Sequence, residues 1–163
     1  MGTRIAVAVF IGAIVAANLL VAHFGPWFSP INAFVLIGLD LSLRDWLHDK
    51  WRHELWRVGA LIATAGIISY VLNPAAGRIA VASTAAFTIA ATVDALVYHR
   101  LIDARWLVRS NGSNVGGAAA DSVAFPLIAF GWFPGLPAII ALQFGAKVAG
   151  GAVWSVALAK FRK

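Results

Sequence analysis

Seven polar side chains interrupt the apolar stretches of this 163-residue sequence, and these residues are the first candidates for chemistry. Ionisable groups at the depth of a bilayer cost several kcal/mol unless they are paired or hydrated, so they usually mark a ligand or ion pathway. Carboxylates there accept N–H donors, whereas an amide both donates and accepts. The expected chemistry is recognition of a polar small molecule. The seven side chains are Asn18, Asp40, Asp94, Asp121, Ser122, Gln143 and Lys147.

Two of these residues have matching depths. With a rise of about 1.5 Å per residue, Asp121 lies roughly 12 Å from the inner end of its apolar run, and Lys147 lies at a similar depth in the next, antiparallel run. We therefore expect an Asp121–Lys147 ion pair. Such a pair either forms part of a ligand site or only locks two helices together, because two charges that neutralise each other need no ligand.

The other two carboxylates have alternative partners. Arg44 lies one helical turn beyond Asp40 and could pair with it. Alternatively, Arg44 snorkels to the headgroups and leaves the Asp40 carboxylate facing the helix bundle. Asp94 could likewise pair with an arginine from a neighbouring loop.

The composition defines the elements that must hold these residues. Apolar residues make up 61% of the chain and charged residues 12%, and the mean hydropathy is +0.82. Globular domains have about 45–50% and about 25% respectively, so the composition excludes a soluble enzyme and a disordered chain. The sequence contains no cysteine, which excludes disulfides and thiolate chemistry. The chain is therefore expected to be an integral membrane protein.

Six apolar runs approach the length of about 20 residues that a membrane-spanning helix needs. No alternation of apolar and polar residues, as in a membrane β-barrel, is present. We therefore predict an all-α, polytopic protein whose single transmembrane domain, residues 1–163, is a bundle of six transmembrane helices. A turn at Ser110–Ser113 is expected to open the fifth span, with Ser110 or Ser113 as its cap. The spans are about 5–24, 31–46, 58–72, 79–98, 113–132 and 136–159.

The distribution of basic residues predicts the orientation. Eleven of the thirteen Lys and Arg residues fall on the side of the chain termini, which the positive-inside rule assigns to the cytoplasm. Both termini are therefore expected to be cytoplasmic. Since the net charge of +6 is explained in this way, we predict no binding of nucleic acid. The four histidines fall at span ends, and neither a metal site nor a cofactor is expected.

Two patterns concern helix packing. Small residues at Gly112, Gly116 and Gly117, and again around Gly150, favour close contact, which we expect between spans five and six. The first three and last three spans have opposite starting directions, with Asn18 and Asp94 at comparable positions. An inverted repeat is therefore possible.

The same residues resemble the vitamin uptake transporter family, also called queuosine precursor transporters. The resemblance implies a six-helix carrier of 7-deazaguanine bases in the cytoplasmic (inner) membrane, and it adds Arg109 and Phe125 to the site. This chain departs from the family where Arg44, Asp45 and Trp46 replace a Glu and a Tyr-Gly. The matching segments are Ala17-Asn18-Leu19-Leu20, Asp40, Val93-Asp94, Arg109-Ser110, Ser113, Ala120-Asp121-Ser122, Phe125 to Phe130 and Lys147.

The resemblance agrees with the chemistry of the residues. A guanine-like base presents adjacent N–H groups that a carboxylate accepts in a bidentate manner. Phe34, Phe87, Phe125 or Phe130 could stack on its flat face. The predicted partners are a purine-like base and the lipid bilayer, and a homodimer is left open. No catalysis is expected, because no Ser–His, His–carboxylate or metal arrangement is present. The alternatives are a substrate-capture subunit of an energy-coupling vitamin transporter and a structural membrane protein without a ligand. The predicted site is Asn18, Asp40, Asp94, Arg109, Asp121, Ser122, Phe125 and Lys147.

Overall fold

The structure, a computed structural model, describes residues 2–51, 55–104 and 106–159, and these ranges contain helices but no strands. Short 3-10 turns cover Pro26–Phe28 and Pro74–Ala76, and a π-helical stretch covers Ala33–Ile37. The α-helices are α1 (Thr3–Phe24), α2 (Ser29–Asn32), α3 (Gly38–Lys50), α4 (Leu55–Leu72), α5 (Gly77–Arg100), α6 (Trp106–Phe130) and α7 (Leu136–Ala159).

The helices form six consecutive spans, because α2, the π-helical stretch and α3 together make up the second span. By length and composition, four segments of the described chain are suited to cross a membrane, and α4 contains a shorter apolar helix. The remaining span, α6, contains many glycine, alanine and polar residues among its apolar ones. The predicted all-α polytopic fold is confirmed, while the orientation of the termini stays a prediction. The four segments are Thr3–Phe24, Pro26–Arg44, Pro74–Asp94 and Leu136–Trp154.

The six spans pack as a closed ring in which each contacts its two neighbours. The order around the ring is α1, α4, α5, α6, α7 and the second span, which returns to α1. This arrangement does not have the symmetry of an inverted repeat. An inverted repeat would relate the first span, α1, to the fourth, α5, and the third span, α4, to the sixth, α7. The contact between α1 and α4 would then have a counterpart between α5 and α7, but these two helices are not neighbours in the ring.

Glycines bring α6 close to α5. A Cβ atom added to Gly116 would lie 3.2 Å from the Val97 side chain, and one added to Gly117 would lie 3.3 Å from Cβ of Asp94. The backbone of α6 therefore packs directly against α5 beside the Asp94 carboxylate. The prediction that these glycines join spans five and six was wrong, because a small-residue face does not specify which helix covers it.

A second close contact joins α7 to the second span. A Cβ atom on Gly150 would clash with the carbonyl oxygen of Phe34, and one on Gly38 would lie 2.7 Å from the Gly150 carbonyl carbon. The contact between α6 and α7 instead involves the long side chains of Asp121 and Lys147. A tight glycine interface between those two helices would leave no room for this pair.

The π-helical stretch lies at this second contact. In a π-helix, the hydrogen-bonding register shifts by one residue, which frees a backbone carbonyl. The indole N–H of Trp154 on α7 donates to the carbonyl oxygen of Val35 at 2.9 Å. Residues of α7 therefore hold the irregular part of the second span, immediately before Asp40.

The predicted turn at Ser110–Ser113 was wrong. The α6 helix runs without a break from Trp106, and Ser113 is buried inside it, so Ser113 is not its N-cap. The side chain of Ser110 lies outside the described part of the chain. Apolar length marks only the hydrocarbon-facing part of a helix, and α6 extends beyond it. The helix ends before Gly131, whose φ of 72° is in the left-handed region that glycine favours.

Candidate substrate-binding site

The ring encloses a cavity of about 410 Å³, and every span contributes to its wall. This volume lies within the range of about 300–1,000 Å³ that is typical of small-molecule sites. Its wall combines apolar residues with an unusual number of polar ones for a membrane bundle. The polar lining residues are Asn18, Ser29, Asn32, Asp40, Ser42, Arg44, Ser83, Asp94, Asn114, Asp121, Gln143 and Lys147.

Most of the predicted site residues converge on this cavity. Ser122 is not part of the lining, since it is fully buried and accepts a hydrogen bond from Lys147. The side chain of Arg109 lies outside the described residues. That these residues bind a ligand stays a prediction, although the structure brings them together. The lining members are Asn18, Asp40, Asp94, Asp121, Phe125 and Lys147.

The predicted ion pair is present. Nζ of Lys147 lies 2.5 Å from Oδ2 of Asp121, and it also donates to Oγ of Ser122 at 3.3 Å and to Oε1 of Gln143 at 3.2 Å. The Lys147 side chain is only 3% exposed, whereas that of Asp121 is 23% exposed. The ammonium is therefore enclosed by acceptors, while part of the carboxylate remains open to the cavity.

Asp94 lies where α5 packs against Gly117. Within the described chain, no hydrogen-bond donor reaches its buried Oδ1 atom, so the expected pairing with a loop arginine is not seen there. A buried carboxylate oxygen without a donor is costly, and such atoms often lie at functional sites. Asp94 is therefore a carboxylate in the cavity wall with hydrogen-bonding capacity to spare.

Asp40 lies in the first turn of α3, the regular helix that follows the π-helical stretch, and it is 8% exposed. Arg44 also lines the cavity, and its guanidinium lies 5.8 Å from the centroid of the Phe87 ring. This distance is within the range of a cation–π contact. Arg44 thus contributes to the cavity wall, and the choice between its two proposed roles beside Asp40 stays a prediction.

Asn18 joins three helices at the cavity. Its Nδ2 group donates to Oγ of Ser69 on α4 at 3.2 Å, and its Oδ1 atom accepts from Oγ of Ser83 on α5 at 2.9 Å. The side chain is 2% exposed. Asn18 therefore fixes the positions of α1, α4 and α5 around the cavity, in addition to forming part of its wall.

Two of the four candidate aromatic residues lie in the cavity wall. Phe87 and Phe125 line it, and Phe130 packs edge-on against Phe125 with ring centroids 5.9 Å apart. Phe34 is 39% exposed and is not among the lining residues. A flat ligand would therefore meet the Phe87 or Phe125 ring.

Sequence reasoning missed Ser29 and Asn32. The second span was expected to begin near residue 31, which left Ser29 in a loop, and Asn32 in its first turn was not counted among the candidate polar residues. In the structure they are buried on α2, and Nδ2 of Asn32 donates to the carbonyl oxygen of Ala17 at 3.3 Å. The signal that could have found them is Pro30, since proline is common in the first turn of a helix.

An all-helical membrane bundle around a ligand-sized polar cavity defines a class of proteins that carry or capture small molecules at membrane depth. The family model described as "Putative vitamin uptake transporter" matches residues 2–159. The chain belongs to this family, which confirms the resemblance seen in the sequence. It is therefore a multi-pass membrane protein of a transporter family. No curated protein and no solved structure matches the chain significantly.

Proposed function

We propose that this protein imports a queuosine precursor, a 7-deazaguanine-type base, across the cytoplasmic membrane, with both termini on the cytoplasmic side. The observation that carries the proposal is the cavity within the ring, where Asp40, Asp94 and Asp121 meet two aromatic rings. Carboxylates at this depth favour a ligand rich in N–H donors.

Asp121 and Asp40 are our candidates for recognition of the base edge. A guanine-like base presents two adjacent N–H donors, and one carboxylate can accept both. The open part of Asp121 faces the cavity, while the contact with Lys147 on its other side holds the carboxylate in place. Arg44 and Lys147 supply donors for a ring carbonyl or ring nitrogen of the same ligand.

Phe87 and Phe125 would enclose the flat face of the base. Stacking of a base on an aromatic side chain contributes about 1–3 kcal/mol in proteins that bind single-stranded nucleic acid, and the same contact operates for a free base. The cavity volume of about 410 Å³ suits one bicyclic ligand.

Ligand-induced thermal stabilisation of the purified protein tests the substrate class. A ligand at 100 times its Kd raises the stability of the native state by about 2.7 kcal/mol. We expect 7-deazaguanine bases to raise Tm, guanine to do so less, and riboflavin and biotin to have no effect. Stabilisation by riboflavin or biotin alone would assign the family's activity to another vitamin and would overturn the proposal.

Uptake of a labelled base distinguishes a carrier from a capture subunit. Expression of this chain alone, in a host without an energy-coupling ATPase, should give uptake if the protein is a complete carrier. The Asp121→Asn variant should lose most of that uptake. A chain that binds the base but takes it up only with an ATPase partner would instead be a capture subunit.

A further inference from the structure

A chain of three hydrogen bonds runs from the ion pair to one end of the cavity. Lys147 donates to Oε1 of Gln143 at 3.2 Å, and Nε2 of Gln143 donates to Oγ of Ser29 at 2.8 Å. The Ser29 hydroxyl in turn donates to the carbonyl oxygen of Pro26 at 2.6 Å. The polar contact at Asp121 is thus continuous with the 3-10 turn Pro26–Phe28.

Lys147 sets the direction of every bond in this chain. An ammonium only donates, so it requires the oxygen of the Gln143 amide to face it. The NH₂ group of Gln143 must then face Ser29, and the Ser29 oxygen accepts from it. The hydroxyl hydrogen of Ser29 is left to donate to Pro26. A neutral side chain at position 147 that both donates and accepts hydrogen bonds would not fix the direction of these three bonds.

The far end of the hydrogen-bond chain lies in the cavity wall, where Ser29 and Gln143 are both lining residues. Ser29 is 3% exposed and Gln143 is 1% exposed, so their hydrogen bond is a buried contact between the second span and α7. Beyond it, the turn is packed against the α6–α7 loop, since a Cβ atom on Gly135 would lie 2.7 Å from the Trp27 ring. The hydrogen-bond chain and the Trp27–Gly135 contact therefore both involve the Pro26–Phe28 turn.

We propose that the Ser29–Gln143 contact is the gate at the Pro26–Phe28 end of the cavity. Lys147 couples this gate to the Asp121–Lys147 contact. Ser29 and Gln143 are then positioning residues for transport. By linkage, a ligand that changes the Asp121–Lys147 contact changes the gate equilibrium, and opening the gate changes ligand affinity by the same factor. The proposal does not depend on the identity of the substrate.

A single reporter cysteine tests the gate, because the chain has no cysteine of its own. Ala118→Cys places a thiol in the cavity wall. A membrane-impermeant maleimide is added on the side of the Pro26–Phe28 turn in sealed vesicles. We expect slow labelling in the reporter protein and labelling about tenfold faster after Gln143→Leu, which removes two buried hydrogen bonds of ordinary strength.

Two further variants locate the effect. Gln143→Met keeps the approximate length of the side chain but neither accepts from Lys147 nor donates to Ser29, so its labelling should also accelerate. Leu142→Ala alters the 55% exposed neighbouring side chain and serves as the control, with no change in labelling expected. Unchanged labelling in both Gln143 variants would overturn the gate, as would equal acceleration in the control.

The link to the ion pair has its own test. The double variant Asp121→Asn/Lys147→Gln removes the donor-only group and leaves no unpaired charge. We expect it to label several-fold faster than the reporter protein, with Tm confirming that it is folded. Labelling at the rate of the reporter protein would show that the gate closes independently of Lys147 and would overturn the link. Because no substrate is used, failure of the substrate assignment leaves these results interpretable.

Discussion

Neutralising Asp121 and Lys147 singly and together separates a binding role from a purely structural one. Asp121→Asn leaves an ammonium that is 3% exposed without its counter-charge. Breaking a buried ion pair from one side costs about 3–5 kcal/mol of unfolding free energy. We expect the lower end of this range, because Ser122 and Gln143 still accept hydrogen bonds from Lys147.

Removing the lysine charge should lower the unfolding free energy by less than removing the carboxylate charge. Lys147→Gln leaves a carboxylate whose side chain is 23% exposed, so water in the cavity can hydrate it, and we expect a loss of about 1–3 kcal/mol. The double variant carries neither charge and should recover most of the stability. The coupling free energy of the cycle should therefore be about 2 kcal/mol or more in favour of the native pair.

Denaturant unfolding of the purified variants measures the stability, and labelled-base uptake measures the function. If Asp121 contacts the substrate, the double variant recovers stability but not uptake. An affinity loss of at least tenfold is expected, because an amide replaces a charge-assisted acceptor. A double variant that regains full uptake would show that the pair only locks α6 to α7. Wild-type stability of Asp121→Asn would refute the burial argument itself.

Three further changes test the packing around the cavity. Gly150→Ala should destabilise by several kcal/mol in denaturant unfolding, because its Cβ meets backbone of Phe34, whereas Gly145→Ala, with nothing within 4 Å, should be nearly neutral. Asn18→Leu removes two interhelical hydrogen bonds and should lower unfolding free energy by about 1–3 kcal/mol. Trp154→Phe loses the bond to the π-helical stretch and should speed amide hydrogen exchange there, with unchanged exchange in α4 as the internal control.

The depth of a polar residue along its membrane-spanning helix could be predicted from the sequence. The length of an apolar run and a fixed rise per residue are local quantities, and they were sufficient to predict six helical spans and the meeting of Asp121 with Lys147. They also predicted that Asn18, Asp40 and Asp94 lie at membrane depth. For this reason most of the candidate site could be predicted without knowing which helices are neighbours.

Apart from the α6–α7 contact at Asp121 and Lys147, the neighbours of each helix could not be predicted. A glycine face such as that of Gly116 and Gly117 permits close packing with any helix. Only the packing of the whole ring determines that α5 covers this face. The π-helical stretch has no sequence signature of its own, since its carbonyl is satisfied by Trp154, more than a hundred residues away. Ser29 was missed because its partner Gln143 is more than a hundred residues away, and the local signal, Pro30, indicates the start of a helix but not its neighbours.

The charges of the cavity limit what it can carry. Its described lining contains three carboxylates, those of Asp40, Asp94 and Asp121, but only two cationic side chains, those of Arg44 and Lys147. Lys147 is already committed to Asp121, so a phosphate would meet more negative than positive charge at a depth where screening is weak. A free base avoids this repulsion and offers N–H groups to the same carboxylates. Under the proposed function, the arrangement therefore favours a base over its nucleotide as substrate, and the ion pair contributes by holding the Asp121 carboxylate in position beside the ligand.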